Sequence, residues 1–232
     1  MKILLQGAME EEIDVFLKHY VPFETKIIYG FEFYISKQAK DTIIISKTKK
    51  GIINATIATT IALIEFKPDL VINQGCAGGH TESVKLGDIV LGEKAVYIND
   101  FKSERKGKGE GSNSLDWIPT RKRCYEVYST KEILVVAKRV EYNGNVIVGT
   151  LGSGDMLSRE YDRINYMHGL FGEVSEDMES AAVMKVCEDF EVNRLAIRII
   201  SNNELLLQDM DKSTCKTLQD FVIKVVKEII NV

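Results

Sequence analysis

The chain has 232 residues, 45% of them hydrophobic and 28% charged, with 3 prolines and a formal net charge of −4. That is enough apolar material for a sizeable core in one large domain over residues 1–232, with no disulfide or metal staple required, and the mildly acidic balance argues against nucleic-acid or anionic-membrane partners. Cys76, Cys124, Cys187 and Cys215 show no CxxC spacing and His19, His80 and His168 are scattered, which argues against zinc and for reduced thiols in a cytoplasmic protein; the amino terminus turns acidic too soon for a signal peptide, and no apolar run reaches the about 20 residues of a membrane span.

Lys2–Gly7 reads as a buried strand, and residues 10–20 as a helix with Ile13, Phe16 and Leu17 on one face. Residues 25–29 and 31–35 follow as strands about a turn at Gly30, and residues 42–46 form a β-branched third. From Ile53 onward Ile57, Ile61 and Ile64 mark a helix face. Residues 70–73 are a short, fully apolar strand of the kind that suits a sheet covered on both faces. Residues 87–97 predict a strand, 130–140 a helix and 145–150 a strand. Residues 102–123 interrupt this order as a polar loop or lid containing Gly107, Gly109 and Gly111. The alternation resumes with a helix through Val183, Val186, Cys187 and Phe190, a strand over residues 195–200, and a closing helix striped by Leu218, Phe221, Val222, Val225, Val226 and Ile229. Strands alternating with helices predict a layered α/β fold.

Several strand ends carry chemistry. Glu10 and Glu11 sit where acidic residues favour a helix macrodipole. Glu12, one turn past the first strand, can point back toward that strand's carboxyl end, where ligands gather in open α/β sheets. Gly75-Cys76-Ala77-Gly78-Gly79 is either a plain tight turn or a place where backbone N–H groups approach a ligand, and it is neither a P-loop nor GxGxxG. Cys76 reads as an inert buried thiol, because no histidine stands in a recognisable pairing with it. Ser153-Gly154-Asp155 resembles a turn in which Asp155 or Ser158 starts the next helix. In Glu176-Asp177-Met178-Glu179 an apolar residue lies between carboxylates, which suits a ring beside a diol; a carboxylate accepts two hydroxyl hydrogen bonds and so clamps a ribose. Ser201-Asn202 closes the late strand, a common place for a site and for a turn.

In this order, Gly-Ala-Met-Glu-Glu-Glu, Gly-x-Ala-Gly-Gly, Gly-Asp-Ile-Val, Ser-Gly-Asp, Met-Glu-Ser-Ala-Ala and Arg-x-Ile-Ser resemble the 5′-methylthioadenosine/S-adenosylhomocysteine nucleosidases of the nucleoside phosphorylase superfamily, over nearly the whole chain. The resemblance implies a three-layer α/β/α sandwich around a mixed, partly barrelled central sheet. It also implies a cytoplasmic homodimer that needs no metal or cofactor, and a small-molecule purine nucleoside as substrate. It makes Glu12 the general base that activates water, Met178 and Glu179 the ribose contacts, Ala77 and Gly78 the base contacts and Ile52 part of the sugar pocket. Met9, Asp177 and Ser201 fall beside these as further substrate contacts.

Four positions differ from the family pattern. Asn202 stands where an aspartate usually protonates N7 of adenine; an amide donates one hydrogen bond and accepts another, which suits a 6-oxopurine. Cys76 stands for a serine, Leu157 for a base-stacking aromatic, and residues 102–123 match poorly. The leading expectation is hydrolysis of the N-glycosidic bond of a 5′-methylthioadenosine-like nucleoside. The alternatives are a 6-oxopurine nucleoside hydrolase or phosphorylase, and a catalytically impaired nucleoside-binding homologue.

Overall fold

A computed structural model describes residues 1–120 and 126–231. The first half runs β1 (Lys2–Gly7), a 3-10 turn (Glu10–Glu12), α1 (Asp14–His19), β2 (Glu24–Ile28), β3 (Phe31–Gln38), β4 (Asp41–Lys47), α2 (Ile52–Phe66), β5 (Leu70–Gly79) and β6 (Ile89–Tyr97). There follow β7 (Phe101–Lys102), a 3-10 turn (Ser114–Asp116), β8 (Ile118–Pro119), β9 (Glu126–Tyr128), α3 (Lys131–Ala137), β10 (Val146–Ser153) and α4 (Tyr161–Phe171). The chain ends with β11 (Glu173–Asp177), α5 (Ser180–Asp189), β12 (Asn193–Asn202), a 3-10 turn (Glu204–Leu206) and α6 (Thr214–Asn231).

All the described strands but β7 and β8 join in one mixed sheet of order β11-β10-β6-β12-β5-β1-β4-β3-β2, with β9 beside β6. β11 also pairs antiparallel with β5, Gly78 opposite Glu176, and this second pairing curls β5, β12, β6, β10 and β11 into a partial barrel. Apolar runs in the central strands follow from burial on both faces. Ile3 and Leu5 of β1 pack with Ile43, Ile45, Ile72 and the α6 stripe, whereas Leu4 packs with Ile44, Val71, Ala55 of α2 and Val183 of α5. Side chains alternate across a strand, so helices on each side bury alternate positions and no position remains polar by default. The result is the expected three-layer α/β/α arrangement.

Local differences from the sequence reading have physical causes. Residues 10–20 split into a 3-10 turn and α1, with Ile13 between them; the expected Ile13 and Phe16 face is nevertheless buried. Gly75 to Gly79 form no tight turn but complete β5, because β12 continues to pair alongside as far as Asn202↔Gly78. Asp155 does not start α4, which begins at Tyr161; instead its carboxylate accepts Ile52 N–H at 2.9 Å and caps α2. Gly51, ahead of that helix, has φ 96°, and a Cβ there would lie 2.8 Å from Asp155 Oδ1, so glycine serves both conformation and space. In the polar stretch, β7 pairs with β8 around the second 3-10 turn; residues 121–123 and Cys124 lie outside the described residues.

Candidate active site at the strand ends

Glu12 is third in a 3-10 turn whose preceding residue is Met9. A glutamate at that place reaches back to the N–H groups ahead of the turn, as in a capping box. Its Oε2 accepts Ala8 N–H at 2.7 Å and Met9 N–H at 3.1 Å. Its Oε1 accepts Cys76 N–H from β5 at 3.0 Å. Glycine at position 75 is what admits the carboxylate, because a Cβ there would stand 2.8 Å from Oε1. Burial pushes the Glu12 pKa up, opposed in turn by the Cys76 N–H, the positive charge of Arg198 and the two earlier N–H groups. Glu10 and Glu11 face outward, toward Lys47 at 2.8 Å and Lys212 at 3.7 Å.

The second acidic segment arrives through the β5–β11 pairing. Asp177 ends β11, and Glu179 precedes α5. Asp177 Oδ1 accepts Ser153 Oγ–H at 2.9 Å and the N–H groups of Glu179 and Ser180, both at 2.7 Å. Arg198, fully buried on β12, holds its Nε 3.3 Å from Asp177 Oδ2 and Nη2 3.9 Å from Glu179 Oε2, while Nη2 donates to Asn73 Oδ1 at 2.6 Å. Asp177 Oδ1 is thus held by protein donors, while Oδ2 faces Arg198 as an ion pair. Glu179 Oε1 accepts Gly51 N–H at 3.0 Å. Burial pushes its pKa up to about 7, with Asp177 and Glu12 adding to the rise and Arg198 and the Gly51 N–H opposing it.

These groups share one cleft. Its lining includes Met9, Glu12, Cys76, Ala77, Gly78, Leu157, Asp177, Met178, Glu179, Ser201 and Asn202, with Lys50, Met156, Glu176, Met210 and Lys212 around them. Of the residues that the resemblance implies as catalytic or substrate contacts, Ile52 alone is not in that lining: it lines a neighbouring groove with Thr56, Tyr97 and Lys185. Asn202 is 4% exposed, and its Oδ1 lies 3.2 Å from the Ser201 hydroxyl. Leu157, 55% exposed, stands at the rim. His80 is engaged with Glu173 at 3.0 Å and Glu176 at 3.5 Å, so it has no part in activating Cys76.

Two features escaped the sequence reading. The first is Arg198; its signal was a lone cation within the otherwise apolar 195–200 run, since a charge at such a place must be paired. The second corrects the expectation of reduced, inert thiols. Cys76 Sγ is joined to Cys215 Sγ at the start of α6 across 139 residues, with Cα atoms 6.2 Å apart, inside the roughly 4.4–6.8 Å that a disulfide spans. A spacing of that length carries no motif.

Removing Arg198 leaves Asp177 and Glu179 buried without their cation. Arg198→Met is therefore expected to cost about 3–5 kcal/mol of stability, checked by urea denaturation, whereas an uncoupled arginine would cost far less.

A cleft of buried carboxylates at the carboxyl ends of β1, β5 and β12 is the ligand position of an α/β enzyme whose sheet is switched in direction there. Comparison gives the class: the Phosphorylase superfamily model matches residues 2–231. A 5′-methylthioadenosine/S-adenosylhomocysteine nucleosidase of Geobacillus kaustophilus (strain HTA426) is 31% identical over 207 residues, covering 87% of this chain and 84% of its own. A mutant of the futalosine hydrolase of Helicobacter pylori strain 26695 superposes with TM-score 0.82 at 25% identity, covering 98% of this chain and 99% of that one. The Helicobacter pylori 5′-methylthioadenosine/S-adenosyl homocysteine nucleosidase superposes with TM-score 0.83 at 24% identity, covering 98% of both chains. The chain belongs to the phosphorylase superfamily and, within it, to the 5′-methylthioadenosine/S-adenosylhomocysteine nucleosidase family.

Proposed function

We propose that this chain is a purine nucleosidase that hydrolyses the N-glycosidic bond of 5′-methylthioadenosine- or S-adenosylhomocysteine-like nucleosides. One observation carries the reading: Glu12 and Glu179, 167 positions apart, line a single cleft, each buried and each with a raised pKa. Glu12 is the general base. Desolvation makes its carboxylate a stronger base than an exposed one, and three N–H groups fix its direction, so it takes a proton from water as the water attacks the anomeric carbon. Glu179 accepts the ribose hydroxyls, and its charge favours the positive, oxocarbenium-like sugar of the transition state. Met178 packs against the sugar. The edge of β5 at Ala77 and Gly78, with Asn202 and Ser201, meets the purine; Met9 and Leu157 flank the ligand.

Water is the nucleophile in this reading because the cations lining the cleft, among the described residues, are Lys50 and Lys212, while Arg198 is tied to Asn73 and Asp177. The test is release of free base from 5′-methylthioadenosine, S-adenosylhomocysteine, inosine and guanosine, with and without phosphate. Equal release without phosphate is expected; release only with phosphate would overturn hydrolysis. Asn202 favours a second reading, in which a 6-oxopurine is preferred, its amide N–H meeting O6 and its carbonyl oxygen accepting the N7–H that forms as the base leaves. Higher kcat/KM for inosine than for methylthioadenosine would select it.

Binding has a pH signature. A hydroxyl pair is held by ionised Glu179, so binding is expected to strengthen as pH rises through about 7. For the empty protein the sign is opposite: a carboxylate raised above its unfolded value contributes stability below the unfolded pKa that is lost as pH rises through the folded one. Calorimetric Kd values between pH 5.5 and 8.5 check this; a flat profile removes Glu179 from the ribose.

The same reading includes a cytoplasmic homodimer. Ile53, Ile57 and Ile64 of α2 leave an apolar stripe 69%, 43% and 56% exposed, suited to a second copy. Light scattering is expected to give twice the chain mass, and Ile57→Lys a monomer.

A further inference from the structure

Cys76 and Cys215 meet beneath the cleft. A Glu12 carboxylate oxygen and the two sulfurs all lie within 4.8 Å of one another. Cys76 is half-buried and lines the cleft, so a small solute reaches it through the substrate's own entrance. Cys215 is 1% exposed in the first turn of α6. The link would join two parts that serve Glu12: β5 supplies the Cys76 N–H to Oε1, and α6 supplies Gln219, whose Nε2 donates to Glu11 O at 2.8 Å and whose Oε1 accepts Val15 N–H at 2.9 Å. The segment entering α6 carries Met210 and Lys212 to the cleft's edge. Disulfides that form in a reducing compartment are those that come and go with oxidant.

We propose that Cys76 and Cys215 are a reversible redox pair that turns the cleft down when oxidised, with Cys76 reacting first and Cys215 resolving it. The oxidant is a hydroperoxide. The Cys76 sulfur attacks one peroxide oxygen, the O–O bond breaks, and the departing oxygen leaves as water with the thiol proton, giving a sulfenic acid. The Cys215 sulfur then attacks that sulfur, hydroxide leaves, and the Cys215 proton makes it water. Two thiols lose two electrons and two protons, and hydrogen peroxide becomes two waters; a dithiol reverses the change. Pairing ties the Cys76 sulfur, which lines the cleft within 4.8 Å of a Glu12 carboxylate oxygen, to α6 and fixes the α6 entry against β5. The effect on turnover, though not the pairing, rests on the nucleosidase reading.

The test compares the full chain after excess dithiol and after hydrogen peroxide, each reagent then removed. Four titratable thiols in denaturant are expected to fall to two, with Cys76 and Cys215 linked in the peptide map. Phosphate-independent kcat on methylthioadenosine is expected to fall about tenfold and to return with dithiol. Cys215→Ser is expected to keep the reduced protein's kcat, to form no link, and to leave a dimedone-trapped sulfenic acid on Cys76. A map without the 76–215 link overturns the pair, as does a linked protein turning over as fast as the reduced one; neither outcome touches the nucleosidase reading. If the link forms and no base is released in either state, that reading falls instead, and calorimetry decides the switch: weaker methylthioadenosine binding in the linked form supports it, and equal behaviour overturns it.

Discussion

Glu12→Gln is expected to lower kcat about 10³-fold on any nucleoside the enzyme cleaves, while the Kd of an unreacted nucleoside stays within about threefold. An amide has the shape of the carboxylate and no basicity. The change also alters the hydrogen bonding. Both Glu12 oxygens accept backbone N–H groups, from Ala8 and Met9 on one side and Cys76 on the other, so the glutamine NH₂ must face one of these donors. That costs about 1–3 kcal/mol. Against it stands the relief of a buried charge whose ionisation burial already opposes. The fold should survive with a modest fall in Tm, and the lost activity then reports chemistry. Single-turnover base release and calorimetric binding on the same preparation separate the two effects. A variant that cleaves at the wild-type rate removes Glu12 from the mechanism, and one that neither binds nor melts cooperatively requires the smaller change Glu12→Asp.

The layered fold was legible because the central strands are buried on both faces, which leaves runs such as Ile3-Leu4-Leu5 and Leu70-Val71-Ile72 with little else to be. The glycine-rich end of β5 left a turn and a close backbone approach both open for a related reason: glycine usually signals a bend, but Gly75 is there to admit the Glu12 carboxylate. Glu12 itself could be picked from Glu10 and Glu11 by its distance from the strand. That it meets Glu179 depends on Gly78 lying opposite Glu176 and Asn202 opposite Gly78, registers set by non-local pairing that no local pattern encodes. Arg198 and the Cys76–Cys215 link belong to the same class, since their partners are far away in sequence. Asp177, placed with the substrate contacts by resemblance, lines the cleft with Oδ1 held by Ser153 and the start of α5 and Oδ2 in an ion pair with Arg198.

Asn202→Asp is expected to raise kcat/KM for 6-amino nucleosides relative to 6-oxo nucleosides about 10²-fold. The leaving purine must gain a proton as the glycosidic bond breaks, and an amide has none to give at neutral pH. In the present chain the Ser201 hydroxyl lies 3.2 Å from Asn202 Oδ1, and the Asn202 Nδ2 lies against Gly78 at the edge where the base would rest. An aspartate there would be buried to the same degree, in the cleft that Glu12 and Glu179 also line and where burial already pushes their pKa values up. Desolvation would raise the new group too, keeping a share of it protonated near neutrality and able to serve as an acid. Its ionised carboxylate would also meet the O6 lone pairs of a 6-oxo ring where a 6-amino ring offers an N–H, so the 6-oxo substrate loses while the 6-amino one gains. Steady-state rates on methylthioadenosine and inosine for both proteins give the ratio directly. A ratio that is unchanged or lower in the variant places the proton donor elsewhere, with water at the cleft mouth the next group to examine by solvent isotope effect.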